Sequence, residues 1–241
     1  MKHKVSVIML RTTRYSDRND IALGLSREAG PVSFLVSAGS GRGAARRRAL
    51  LMPMSIVGGE LNVAAGRSVG TVGDLSALTV FPAIHANPVK GAVALFMADM
   101  LAAVVREGVC DPLLWDFAAA SVAALERIPA SRLANFPIVF AMRLADMLGI
   151  APDSATYCRG RILDLRDGVY RATVPLHPDI ATATESRIVA LAGGLGYHDM
   201  HRLRLSLDDR RQLLDGVLRF ITMHHARVDN LKSLAVLRSL G

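Results

Sequence analysis

The hydrophobic period changes once along this 241-residue chain, near Phe81, and the change decides what each part is able to become. Before it, apolar residues recur at every second position. Ile21, Leu23 and Leu25 alternate with Ala22, Gly24 and Ser26; Val32, Phe34 and Val36 alternate with Ser33, Leu35 and Ser37. Period two places one side of an extended strand against a core, and the turn-like Arg27-Glu28-Ala29-Gly30 between the runs makes them a hairpin. Further β-prone runs at Val5 to Leu10, Leu50 to Val57, Leu61 to Ala64 and Leu75 to Phe81 are punctuated by Gly58-Gly59, Gly66, Gly70 and Gly73. The total is about five strands. An open five-stranded sheet leaves two unpaired edges and a wet apolar face, and curling it into a barrel removes both. An OB-fold is therefore expected for residues 1–82, with an SH3-like barrel as the alternative that strand count leaves open.

From Ile84 onward the period is 3.6. Asn87-Pro88 offers an N-cap with proline at the first helical position, and Val93, Phe96, Met97, Met100, Leu101 and Val104 then fall on one face of a helix at 88–107. Asp111-Pro112 repeats the signal for a helix at 112–127. A third runs from Ser131 to Leu148 and stops at Gly149. Short connections favour a bundle. Residues 153–205 are less regular: Arg161 to Leu165 and Val169 to Thr173 read as a small hairpin around Asp167-Gly168, and Glu185 to Ala192 as a short helix. Ser206-x-x-Asp209 opens a further helix, and Leu231, Leu234 and Leu237 mark a last one. The expected class is α+β, a barrel at 1–82 followed by a helical domain at 83–241 with an irregular insert at about 153–205.

Composition excludes disorder and a disulfide-stapled miniprotein, because 51% of positions are apolar and only two are cysteines, Cys110 and Cys158. The longest apolar stretch, Gly91 to Val105, is interrupted by Asp99 and is shorter than the ~20 residues that span a bilayer. The apolar run after Lys4 is too short for a signal sequence, so a cytoplasmic location and no membrane partner are expected.

The net charge of +8 is unevenly placed. Residues 1–81 hold 11 Lys and Arg against 5 Asp and Glu, whereas residues 82–241 hold 18 against 16. A local positive field attracts polyanions. Its densest part is Gly39-Ser40-Gly41-Arg42-Gly43-Ala44-Ala45-Arg46-Arg47-Arg48, read as a flexible loop between strands whose glycines admit a phosphate and whose guanidinium groups bond it. It is not a Walker A loop, since no Gly-Lys-Ser/Thr follows, and no helix is expected to open there. Lys2, Lys4, Arg11, Arg14 and Arg18 extend the basic set, with Arg42, Arg46, Arg47 and Arg48 as its centre. Tyr15 and Phe34 are the only aromatic residues before Phe81. Phe34 is in phase with the core, which leaves Tyr15 as the stacking candidate and makes phosphate contacts the larger part of binding.

Catalytic and metal signals are thin. His198-Asp199-Met200-His201, His224-His225 and Cys158 do not form the compact ligand pairs of a zinc site. There is no Gly-x-Ser-x-Gly and no His-Glu-x-x-His, and Asp208-Asp209 fits a helix start. The sequence predicts neither an enzyme, nor a cofactor, nor a bound metal.

Several segments, in this order, resemble the RecO family of recombinational DNA repair mediators: Leu10-Arg11-Thr12-Thr13-Arg14-Tyr15-Ser16-Asp17, Ser26-Arg27-Glu28-Ala29-Gly30-Pro31-Val32-Ser33, the basic stretch with Leu51-Met52-Pro53-Met54, His85-Ala86-Asn87-Pro88-Val89-Lys90, Leu163-Asp164-Leu165-Arg166-Asp167-Gly168-Val169-Tyr170, and Leu231-Lys232-Ser233-Leu234. The resemblance implies binding of single- and double-stranded DNA, annealing of complementary strands, and cooperation with single-strand-binding protein and RecR in loading RecA. It also implies a basic-rimmed apolar groove for the acidic tail of single-strand-binding protein, for which Arg132, Arg143, Arg227 and Lys232 are the candidates. Many members of that family carry a four-cysteine zinc module where residues 157–195 lie. Cys158 alone remains here, so the resemblance implies a metal-free version held by packing of the hairpin and the Gly193-Gly194 turn. The alternative function is a protein-interaction adaptor whose basic barrel is incidental.

Overall fold

The computed structural model describes residues 2–37, 42–62 and 69–239. Five strands, β1 (Lys2–Arg14), β2 (Asn19–Ser26), β3 (Gly30–Ser37), β4 (Ile56–Asn62) and β5 (Val69–Thr79), close into a barrel in the order β1-β2-β3-β5-β4. β3 and β5 run parallel, and the other neighbours antiparallel. The closure carries a large stagger. Lys2 pairs with Asn62, Asn62 with Thr71, Thr71 with Leu35, Leu35 with Ile21 and Ile21 with Thr13, so one circuit returns to β1 far above its starting point. That shear tilts the strands enough for five of them to enclose a filled core, and the result is an OB-type barrel.

Val5, Val7 and Met9 of β1, Ala22 of β2, Val32, Phe34 and Val36 of β3, and Val57 and Leu61 of β4 fill it. Two glycine signals differ from the expected punctuation. Gly58 and Gly59 lie inside β4: a Cβ at Gly58 would meet the Leu78 side chain at 2.9 Å, and one at Gly59 would meet Val72 at 2.7 Å. They are strand residues over which β5 passes closely.

The stretch expected as a loop after β3 is also different. Residues 42–50 form a helix, α1 (Arg42–Leu50). Alanine, arginine and leucine are all strong helix formers, Arg47 and Arg48 fall in the last turn where the helix dipole favours cations, and Leu50 and Leu51 anchor the end against the barrel core.

The helices α2 (Pro82–Ala86), α3 (Pro88–Val104) and α4 (Pro112–Arg127) complete the first of two compact units, Met1–Arg127. The Asn87 side chain accepts from the N–H groups of Val89 and Lys90 at 3.0 and 3.1 Å, and Asp111 accepts from those of Leu113 and Leu114, so both proline-led starts are capped. That the first unit runs on past the barrel to Arg127 has a physical reason. Ile8, Leu10 and Leu25 point out of the barrel yet are at most 1% exposed, and α3 packs along β1 to cover that side. The change of period thus marks a change of element within one unit.

The second unit, Ile128–Gly241, contains α5 (Phe136–Met147), a hairpin of β6 (Ile162–Asp164) and β7 (Val169–Arg171), α6 (Ala183–Gly193), α7 (Leu207–His224) and α8 (Ser233–Ser239). Helices α5, α6 and α7 pack on one another. α5 starts later than the expected residue 131 because Pro137, in its first turn, cannot donate to the carbonyl one turn earlier, and it is preceded by Asn135. Its buried amide donates to the carbonyls of Met200 and Leu203 at 2.9 and 2.7 Å and accepts from Arg210 Nε at 3.1 Å. Among the described residues no helix is long and apolar enough to cross a membrane.

Candidate nucleic-acid interface

The barrel's outer surface has a covered part and an open part. Beyond the region beneath α3, the outward residues of β1, β2 and β3 are Arg11 and Thr13, Ile21 and Leu23, and Ser33, Leu35 and Ser37; Ile21, Leu23, Ser33 and Leu35 are half-buried, and Arg11, Thr13 and Ser37 are exposed. Arg11 owes its place to a β-bulge. Met9 fills the core, so strict alternation would turn residue 11 inward, but the register shifts between Met9 and Arg11 and Arg11 emerges on the outside opposite Leu23.

Two basic elements flank the upper end of this face. The first is the β1–β2 turn, where Asn19 O accepts from the N–H groups of Tyr15 and Ser16 at 3.2 and 2.8 Å and Ser16 Oγ accepts from Asn19 N at 3.1 Å. Arg14, Tyr15 and Arg18 project from it; Tyr15 is 67% exposed. Asp17 lies 3.4 Å from Arg14, with both side chains largely in water, a pairing worth at most about 1 kcal/mol and readily exchanged for a phosphate. The second is α1. Arg47 Nη1 donates to Ser37 O at 3.0 Å, and Ser37 pairs with Asn19, the residue that closes the β1–β2 turn. One chain of bonds therefore ties the arginine helix and the arginine turn to the same end of the barrel.

A groove between α1 and the strands is lined by Arg46, Arg47 and Leu50 of α1, Leu35 of β3, and Val72, Asp74 and Leu75 of β5. Successive helical residues are rotated by about 100°, so the three consecutive arginines cannot all line it. Arg48 is exposed but does not line the groove.

The predicted basic set is thus divided. Arg11, Arg14, Tyr15, Arg18, Arg46 and Arg47 gather around the open face. Lys4 lies apart, in a second groove with Glu28, Glu60 and Asp74, directly across from Glu60 in the ladder. Lys2 and Arg42 occupy the first positions of β1 and α1, but their side chains, together with Gly39-Ser40-Gly41 and Gly66, fall outside the described residues.

In the second unit Arg132 and Arg143 are exposed, the latter 5.5 Å from the Tyr197 ring, which stacks on Phe136. Arg227 is 3.5 Å from Asp229, and Lys232 is exposed just before α8. None of the four lines the pocket formed by Met142, Leu163, Leu165, Val189, Val217 and Phe220, which Glu185 and Arg219 also line, the latter paired with Asp179.

A model of the family described as "Recombination protein O C terminal" matches residues 85–235. The DNA repair protein RecO of Porphyromonas gingivalis (strain W83) is 30% identical over 97% of this chain and 96% of its own length. The chain belongs to the RecO family of DNA repair proteins. RecO of Azobacteroides pseudotrichonymphae is 26% identical over 100% of the chain and 99% of its own length, and that of Phocaeicola vulgatus 28% over the same shares.

The residues present do not fit a four-cysteine zinc module. Cys110 and Cys158 are both exposed, and among the described residues no three His, Cys, Asp or Glu side chains stand together as metal donors. His201 Nδ1 instead lies 2.9 Å from the carbonyl of His198, and His224 Nε2 2.8 Å from that of Leu165. Nor is the region held by packing alone. Asp164, 2% exposed, accepts from Arg166 N and Arg171 Nε, each at 2.9 Å, and has His177 Nε2 at 3.4 Å. Burial is the strongest single influence on this carboxyl and pushes its pKa up. The hydrogen bonds from Arg171 and from the Arg166 and Asp167 backbone, with the charge of His177, outweigh burial and hold it below the ordinary carboxylate value. Around this node, Ser186 Oγ accepts from Leu163 N, Thr156 Oγ1 accepts from Tyr170 N, and Arg166 and Arg219 both bind Asp179. Tyr170, packed edge-on to Tyr157, is pushed up to about 12 by burial. A buried carboxylate network organises the hairpin.

Proposed function

We propose that this chain is a non-enzymatic recombination mediator. It binds single- and double-stranded DNA through the open face of its barrel, anneals complementary strands, and cooperates with RecR and single-strand-binding protein in loading RecA. The observation that carries the reading is the convergence of Arg11, Arg14 and Arg18 with Arg46 and Arg47 at one end of an OB-type barrel, joined through the Arg47–Ser37 bond and the Ser37–Asn19 pair. The β2–β3 face and the loop between the first two strands are where OB barrels receive oligonucleotides. Annealing makes and breaks no covalent bond. Two strands repel through their phosphates, and a protein that neutralises several of them at once lowers that barrier. For the tail of single-strand-binding protein, acidic and apolar, Arg132, Arg143, Arg227 and Lys232 of the second unit are the basic positions that would meet it.

The test is fluorescence anisotropy of the full chain with single- and double-stranded oligonucleotides across a salt series. With five arginines engaged, the log–log slope is expected near −3.5 on single strands and near −4.5 on duplex. A chain that binds a peptide of the single-strand-binding-protein tail but no DNA at low salt is an adaptor, and the DNA reading fails.

A further inference from the structure

We infer that a single strand on this face is held through its phosphates, with all its bases but at most one free of the protein and available to pair while still bound; this rests on the DNA-binding reading above. Proteins that grip bases without regard to sequence do so on aromatic platforms. The sequence offers only Tyr15 and Phe34 before Phe81, including the stretches outside the described residues. Phe34 is 0% exposed inside the barrel, which leaves Tyr15 as the single platform, out on the β1–β2 turn rather than on the strand face. The face itself offers half-buried Ile21, Leu23 and Leu35, aliphatic and lacking a π surface. Charge sets the strand's orientation. Arg46 and Arg47 of α1 and Asp74 of β5 line the same groove, so phosphates are drawn to the α1 arginines and repelled by the β5 carboxylate. A strand anchored along these arginines, with one base at most resting on Tyr15, leaves its Watson–Crick edges turned to solvent. A second strand then pairs without the first being released.

The experiment probes thymines of a single-stranded mixed-sequence oligonucleotide with permanganate at protein concentrations where anisotropy shows saturation. Thymines of the bound strand are expected to react within about twofold of those in the free strand at all positions but one, since stacking on protein shields the reactive double bond. Tyr15→Ala is expected to abolish that single protected position. Protection spread along the bound strand overturns the inference while leaving DNA binding intact. If the oligonucleotide does not saturate at any salt, the DNA-binding reading fails and takes this one with it.

Discussion

Because α1 is a helix, its three consecutive arginines are inequivalent, and salt dependence measures the difference. Arg46 and Arg47 line the groove whereas Arg48 does not. Each phosphate neutralised on a single strand contributes about −0.7 to the slope of log affinity against log salt. With Arg11, Arg14, Arg18, Arg46 and Arg47 engaged, raising salt from about 50 to 200 mM is expected to weaken binding roughly 100-fold. Arg46→Ala with Arg47→Ala removes two contacts, reduces the slope by about 1.4, and shrinks the same salt effect to roughly 20-fold. Arg48→Ala is expected to change the slope less than either neighbour. The assay is anisotropy of a labelled oligonucleotide at several salt concentrations, with a thermal melt to confirm that loss of the Arg47–Ser37 bond leaves the barrel folded. An unchanged slope in a folded double variant, or an Arg48 effect equal to that of Arg46, refutes the assignment of Arg46 and Arg47 as the phosphate contact.

Other consequences follow from the packing. Asp164→Asn is expected to destabilise the second unit by about 1–3 kcal/mol at neutral pH, measured by chemical denaturation, because Arg171 and two backbone N–H groups lose a charged acceptor. Since the folded pKa of Asp164 lies below its unfolded value, its contribution is present above about pH 4 and is lost as pH falls through the folded pKa, so wild type and variant should converge in stability in acid. Convergence at neutral pH instead would contradict the network. Gly24→Ala should cost the barrel about 1–3 kcal/mol in the same assay, since its Cβ would lie 2.2 Å from Val7 Cγ1 and 3.2 Å from the Ile8 carbonyl; an unaffected variant would mean that the β1–β2 register is other than described.

Much of the architecture could be read from the order of residues. Alternation at Ile21 to Val36 located β2 and β3, Asn87-Pro88 and Asp111-Pro112 located two helix starts, and Asp167-Gly168 located the hairpin turn, where Gly168 has φ +67°. These are local signals, decided within a few residues. What stayed hidden is set by distant partners. Gly58 and Gly59 look like turn residues until β5 is laid over them. Ala44 to Leu50 are all good helix formers, but the neighbouring glycines and the run of charge are equally the marks of a loop, and only packing of Leu50 and Leu51 against the barrel core decides for α1. The site shows the same split. That Arg11 faces out depends on a bulge no alternation reveals, and that Lys4 is set among acids depends on its pairing with β4. Asp164 was legible only as part of a turn; its burial and its bond to Arg171 come from the folded second unit.

The proposed role of the arginines gathered at one end of the barrel is to offset the repulsion between two DNA strands. It is tested most directly by the annealing rate of complementary oligonucleotides coated with single-strand-binding protein, comparing the full chain with the folded Arg46→Ala, Arg47→Ala variant across a salt series. Rapid annealing by the wild type that weakens with salt is expected, and slow annealing by the variant with a flatter salt dependence. Equal annealing by the two proteins at every salt concentration would contradict it.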